Sequence, residues 1–166
     1  MKRIPIVMSA IGAVFAISIA AAHAETAGID KEFATKAAQA GMAEVAEARI
    51  ALKNSTRPDV KDFARRMIAD HTKAGDQLKT IASSEGLALP GGPSDEDQQA
   101  MTKLGALSGE DFDRAYIQDQ ISAHEAAVAL FTKESEQGSG SFRSFASATL
   151  PTLEDHYRMI KSLPIH

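Results

Sequence analysis

From Phe33 to Ile160 the apolar residues of this 166-residue chain return every three or four positions, the period of a helix with one buried face. Alanine and straight-chain residues dominate and β-branched runs are missing, so helix is also the local preference. The first stripe, Phe33, Ala37, Gly41, Val45, Ala48 and Leu52, predicts a helix from Asp30, a candidate N-cap, to Lys53. Asn54 and Ser55 end it. The second helix opens at Thr56, with Asp59 three positions on and Pro58 in the first turn. Its inner face is Val60, Phe63, Ala64, Met67, His71, Ala74, Leu78, Ile81 and Ala82, and Gly86 closes it. A turn this short makes the pair an antiparallel hairpin.

The stretch Pro90-Gly91-Gly92-Pro93 cannot be helix interior, and Ser94 then caps a short helix ending near Gly105. Ser108, with Asp111 three residues on, starts a third long helix that carries Phe112, Tyr116, Ala123, Ala127 and Phe131 inward and stops at Gly138. After Gly140 a fourth carries Phe142, Phe145, Leu150, Leu153, Tyr157 and Ile160. Pro151 lies opposite that stripe, which predicts a bend rather than a break. The fold class is therefore all-α: a four-helix bundle of two antiparallel hairpins joined by a crossover that carries a short helix. The crossover reaches on the order of 50 Å, enough to recross a bundle lengthwise. A ferritin-like winding is allowed, and up-down-up-down is the alternative.

The chain opens differently. Lys2 and Arg3 precede an apolar run from Ile4 to Ala21, and Ala22-His23-Ala24 places small residues where a signal peptidase cuts. Residues 1–24 are thus expected to be a cleavable signal peptide, residues 25–166 a single bundle domain, and the periplasm the destination. An uncleaved anchor is the competing reading of the same run. His23 leaves with the signal. No later segment approaches spanning length, so stable membrane insertion after cleavage is not expected.

Cleavage leaves 16 Lys and Arg against 22 Asp and Glu, a net charge of −6. A mildly acidic, mixed surface argues against nucleic acid and anionic membranes. No motif names a protein partner. With no cysteine there is no disulfide, thiolate site or lipid-bearing Cys.

Four polar residues fall on the inner faces: Glu44 in the first helix, His71 in the second, His124 in the third and His156 in the fourth. Each lies about thirteen to sixteen residues from its helix start, roughly 20–24 Å along it, so all four share the middle layer. Glu47 sits nearer the edge of its stripe, and Gln120 lies one turn before His124. Asp70, Glu125 and Asp155, each next to a histidine, point away and read as solvated surface. Buried imidazoles need partners for both nitrogens. One solution is a hydrogen-bonded layer, with His71 on Glu44 and His124 on Gln120 or His156, that fixes helix register in a structural or interaction module. The other is a single transition-metal ion held by Glu44, His71, His124 and His156, for buffering or sensing metal. Three nitrogens and one oxygen suit tetrahedral Zn(II), with copper or iron as alternatives. Met67, one turn before His71, offers a soft sulfur to Cu(I), though methionine at core spacing ordinarily packs.

Catalysis finds little footing. Di-iron carboxylate enzymes need Glu-x-x-His pairs, and Ile68, Ile121 and Leu153 stand where those glutamates belong. There is no nucleophile elbow, phosphate loop or zinc-protease motif. A mononuclear enzyme would need an open coordination position and a substrate cleft, and the sequence shows neither.

Four blocks in order carry a resemblance: AGMAEVAEARIAL around Glu44, VKDFARRMIADHTKAGDQL around His71, LSGEDFDRAYIQDQISAHEAAVALF around His124 and FASATLPTLEDHYRMI around His156. Together they resemble DUF4142, a family of exported bacterial ferritin-like proteins of unknown function, often labelled outer-membrane proteins. The resemblance implies a ferritin-like bundle in the cell envelope and no established activity. The outer-membrane label fits poorly with a chain lacking barrel pattern and lipid anchor.

Overall fold

This computed structural model describes residues 12–165, with side chains from Thr26 onward. Residues 1–11 of the expected signal segment lie outside the described residues, as do all of that segment's side chains. The described residues are helical with no strand, in five elements: α1 (Gly12–Asn54), α2 (Pro58–Ser84), α3 (Asp95–Gly105), α4 (Gly109–Gln137) and α5 (Gly140–Ser162). No helix among them is long and apolar enough to cross a membrane.

Two core clusters fix how the four long helices run. One gathers Phe33 and Ala37 of α1, Leu78 and Ala82 of α2, Phe131 of α4, and Phe142 and Phe145 of α5. The other gathers Ala48 and Ala51, Val60 and Phe63, Phe112 and Tyr116, and Ile160. The middle of α1 thus meets the end of α4, and the end of α1 meets the start of α4, so these two are antiparallel, as are α2 and α5. The connection from α2 to α4 therefore recrosses the length of the molecule, and up-down-up-down winding is excluded.

Several helix ends differ from the expected ones. Asp30 is not an N-cap, because α1 already runs through it. Its carboxylate instead accepts from the backbone N–H and hydroxyl of Ser139 at 2.9 and 2.6 Å, holding the start of α5. Thr56 is exposed and Arg57 takes the N-cap position of α2 with no side-chain cap. Arg57 forks onto Asp59 at 3.1 and 2.6 Å instead. Ser108 precedes α4 without a cap bond. Ser94 does cap α3, in a reciprocal box with Asp97. The α5 helix continues through an exposed Pro151.

Gly138 makes the α4–α5 turn, its N–H donating to the Glu134 carbonyl at 2.8 Å. A Cβ there would overlap Glu134 Oε1 and lie 2.6 Å from the Glu134 carbonyl oxygen. Gly138→Ala should therefore destabilise the protein by about 1–3 kcal/mol. A chemical denaturation series measures this, and an unchanged midpoint would count against the turn geometry.

Candidate metal centre

The layer between the two core clusters is where the inward polar residues meet. Its histidines arrive from the buried faces of three helices, those of α2 and α5 otherwise apolar and that of α4 also carrying Asp113, Gln120 and Glu134. His124 and His156 are fully buried and His71 is 8% exposed. Their rings form a near-equilateral triangle, with centroids 5.4, 5.5 and 5.8 Å apart. One nitrogen from each ring lies within 4.8 Å of the other two.

Each ring has one nitrogen engaged. His71 Nδ1 is 2.8 Å from Glu44 Oε2, His124 Nδ1 is 2.9 Å from the Gln120 backbone carbonyl, and His156 Nε2 is 2.8 Å from Asp70 Oδ2. Carboxylates and carbonyls only accept, so in the neutral ring each engaged nitrogen carries the proton. The opposite nitrogens, His71 Nε2, His124 Nε2 and His156 Nδ1, are buried without any partner and carry the lone pairs when the rings are neutral. An outer acceptor that fixes the tautomer and leaves the inner nitrogen free is the usual support of a metal-ligating histidine.

Glu44 is buried in this layer and meets His71, as the hydrogen-bonded arrangement expected from the sequence has it. It is not in the group whose ligand atoms converge. Its Oε2 is taken by the engaged nitrogen of His71, and its Oε1 is 3.7 Å from His124 Nδ1. Burial alone would raise its carboxyl, but His71, and then His124 and His156, hold it below the ordinary range. For His71 burial pulls down, but the charge and hydrogen bond of Glu44, with Asp70 added, together outweigh it and leave it raised. Burial dominates at His124 and His156 and lowers both.

Asp70 also requires correction. Its helical position predicts a solvated side chain, yet that side chain is only 34% exposed and it holds His156. A helical wheel sorts residues about their own axis, and α5 packs close enough to α2 to reach the flank on which Asp70 stands. Asp155 pairs with Arg158 on the surface, and Glu125 is exposed, as expected. Met67 is fully buried in the second core cluster.

Glu47 was placed near the edge of its stripe but is 4% exposed. Its Oε2 accepts from Gln120 Nε2 at 2.9 Å. Burial, then the neighbouring Asp119, pushes its carboxyl up to about 9. Between the ordinary value of 4.5 and about 9 the folded chain therefore holds a proton that the unfolded chain has released. Stability should fall as pH rises through that window. Glu47→Gln, which keeps the bond to Gln120, should flatten the decline and stabilise the protein at pH 8 by about 1–3 kcal/mol. Melting curves of both proteins from about pH 5 to about pH 9 measure the difference, and parallel curves would contradict it.

Phe63 closes one side of the triangle, its ring 6.0 Å from His124 and 6.4 Å from His156. Towards the other core cluster lies a cavity of about 1310 Å³ that His71 and His156 help to line. No cleft is evident from the sequence pattern.

An all-helical chain with three imidazoles converging between its core clusters is a protein with a candidate metal centre. It belongs to a family described as a domain of unknown function (DUF4142), whose profile matches residues 17–163. No curated protein matches its sequence. Its fold is similar to several solved structures. A DUF305 fragment from Deinococcus radiodurans is 16% identical with a TM-score of 0.71, covering 80% of this chain and 93% of the other. A DUF305 protein from Streptomyces coelicolor, described as secreted, is 17% identical with a TM-score of 0.68, covering 80% and 89%. CopM in its Cu(I)-bound form is 18% identical with a TM-score of 0.66, covering 80% and 92%.

Proposed function

We propose that this is an exported, periplasmic metal-binding protein that buffers or senses a transition metal within a ferritin-like four-helix bundle. In this reading residues 1–24 are a signal peptide that is removed. His71 Nε2, His124 Nε2 and His156 Nδ1 are the ligands, and Glu44 and Asp70 orient two of the rings. The observation that carries the proposal is that each of the three rings has a buried nitrogen without a partner, and that the rings converge closely enough to offer one ligand atom apiece within 4.8 Å of the others. A layer serving only to fix register would pair its inner nitrogens, since each unsatisfied buried group costs about 1–3 kcal/mol. The donor set fits Zn(II) and copper. The likeness to a Cu(I)-bound fold adds weight to copper. Three imidazoles also leave Zn(II) one ligand short of four, with space beside it for a fourth.

Elemental analysis of protein purified from the periplasm should find one equivalent of zinc or copper. Adding that metal to stripped protein should raise its melting temperature, and His71→Leu should remove both effects. Metal-free native protein, with no thermal shift for either ion, would overturn the proposal and leave the register-fixing module.

A further inference from the structure

One turn from the histidines, towards the cluster around Phe33 and Phe131, three of the four long helices offer only glycine or alanine. Gly41 precedes Glu44, Ala74 and Gly75 follow His71, and Ala127 follows His124. These residues line the cavity of about 1310 Å³, together with Leu153 on α5. A Cβ built at half-buried Gly41 or at exposed Gly75 would meet nothing within 4 Å, so the space beside both glycines is open and continues out to solvent.

Two of the three partnerless nitrogens belong to residues that line this space, His71 and His156. The opposite side is covered by Phe63. An ion among the three rings would therefore expose one coordination position, and that position would face the cavity. The cavity also reaches exposed residues, Lys79 and Glu32 among them, and so communicates with solvent.

We propose that the cavity is a ligand site on the open side of the metal, taking a small molecule with one neutral donor atom and an apolar body. This rests on the metal-binding reading above. The apolar preference follows from the alanines, glycines and leucines of the lining, the neutral donor from Glu44 and Asp70, which line the same space and each contact a histidine, whereas Lys36 and Lys133 of the lining are paired with Glu32. An anionic ligand there would face both Glu44 and Asp70.

The test uses the full protein loaded with Co(II), a coloured stand-in for Zn(II), titrated with imidazole, 4-phenylimidazole and azide. Both imidazoles should shift the Co(II) absorption bands, and 4-phenylimidazole should bind about tenfold more tightly through its buried ring. Azide should bind more weakly than either. Gly41→Leu and Gly75→Leu, which fill the space, should keep Co(II) but lose the preference for the phenyl compound. Retained Co(II) in each variant shows that it is folded. Co(II) whose spectrum responds to none of the three, equal binding of the two imidazoles, or loss of Co(II) to the probe would each overturn this proposal alone. Failure of the wild-type protein to bind Co(II) at all would overturn the metal-binding reading and this one with it.

Discussion

Replacing His124 with alanine is expected to abolish metal binding and to cost the loaded protein a large part of its stability. The ring is fully buried and touches Phe63 on one side and the other two imidazoles on the other. Losing an outer partner of a metal ligand typically weakens affinity about 10–100-fold, and losing the ligand itself should exceed that. The void left by the ring should add about 2–4 kcal/mol of destabilisation even without metal. His124→Leu separates the two effects. It refills the volume with apolar atoms and removes a buried ring nitrogen that lacks a partner, so metal-free stability should be kept or improved. Metal titration and denaturation of both variants check this. Undiminished metal affinity in either would remove His124 from the site.

Glu44 is the second position with a large expected effect, and its two variants should differ. Glu44→Ala leaves His71 Nδ1 without its acceptor at 2.8 Å. The ring is then free to turn or change tautomer, and metal affinity should fall about 10–100-fold. Glu44→Gln keeps an acceptor oxygen in the same place and should lose about tenfold or less. If Glu44 instead bound the ion directly, both variants would lose binding as completely as a histidine variant. Competition with a chelator of known affinity orders the set.

Most of the fold was legible because one period runs through nearly all of it. Phe33 to Leu52 and Val60 to Ala82 could be nothing but helix, and the short link between them could only fold back. The winding was not legible, because the crossover was long enough for either path, and only the meeting of Phe33 with Phe131 decides between them. The end of a helix is a local contest among weak bonds. That is why Ser94 capped as expected while Thr56 lost its place to the pair of Arg57 and Asp59.

The site was legible in part for the same reason. Depth along each helix brought His71, His124 and His156 to one layer, and the rings do meet there. Direction about a single axis could not show that Asp70 on α2 would be met by His156 of α5, or that Glu47 would be covered by α4. Nor could it separate Glu44 as ligand from Glu44 as support, since both put the same residue at the same depth. The cavity escaped because no single helix contains it. It is the sum of what Gly41, Ala74, Gly75 and Ala127 fail to fill, a quantity that appears only when their helices are side by side.

The central claim is that one metal ion sits among three imidazoles. X-ray absorption at the metal edge of the native, metal-loaded protein tests it most directly. The account predicts one ion per chain with three imidazole groups in its coordination shell, reduced to two in His156→Ala if that variant retains any metal. A chain that carries no metal, or an ion whose shell holds no more than one imidazole, would contradict it.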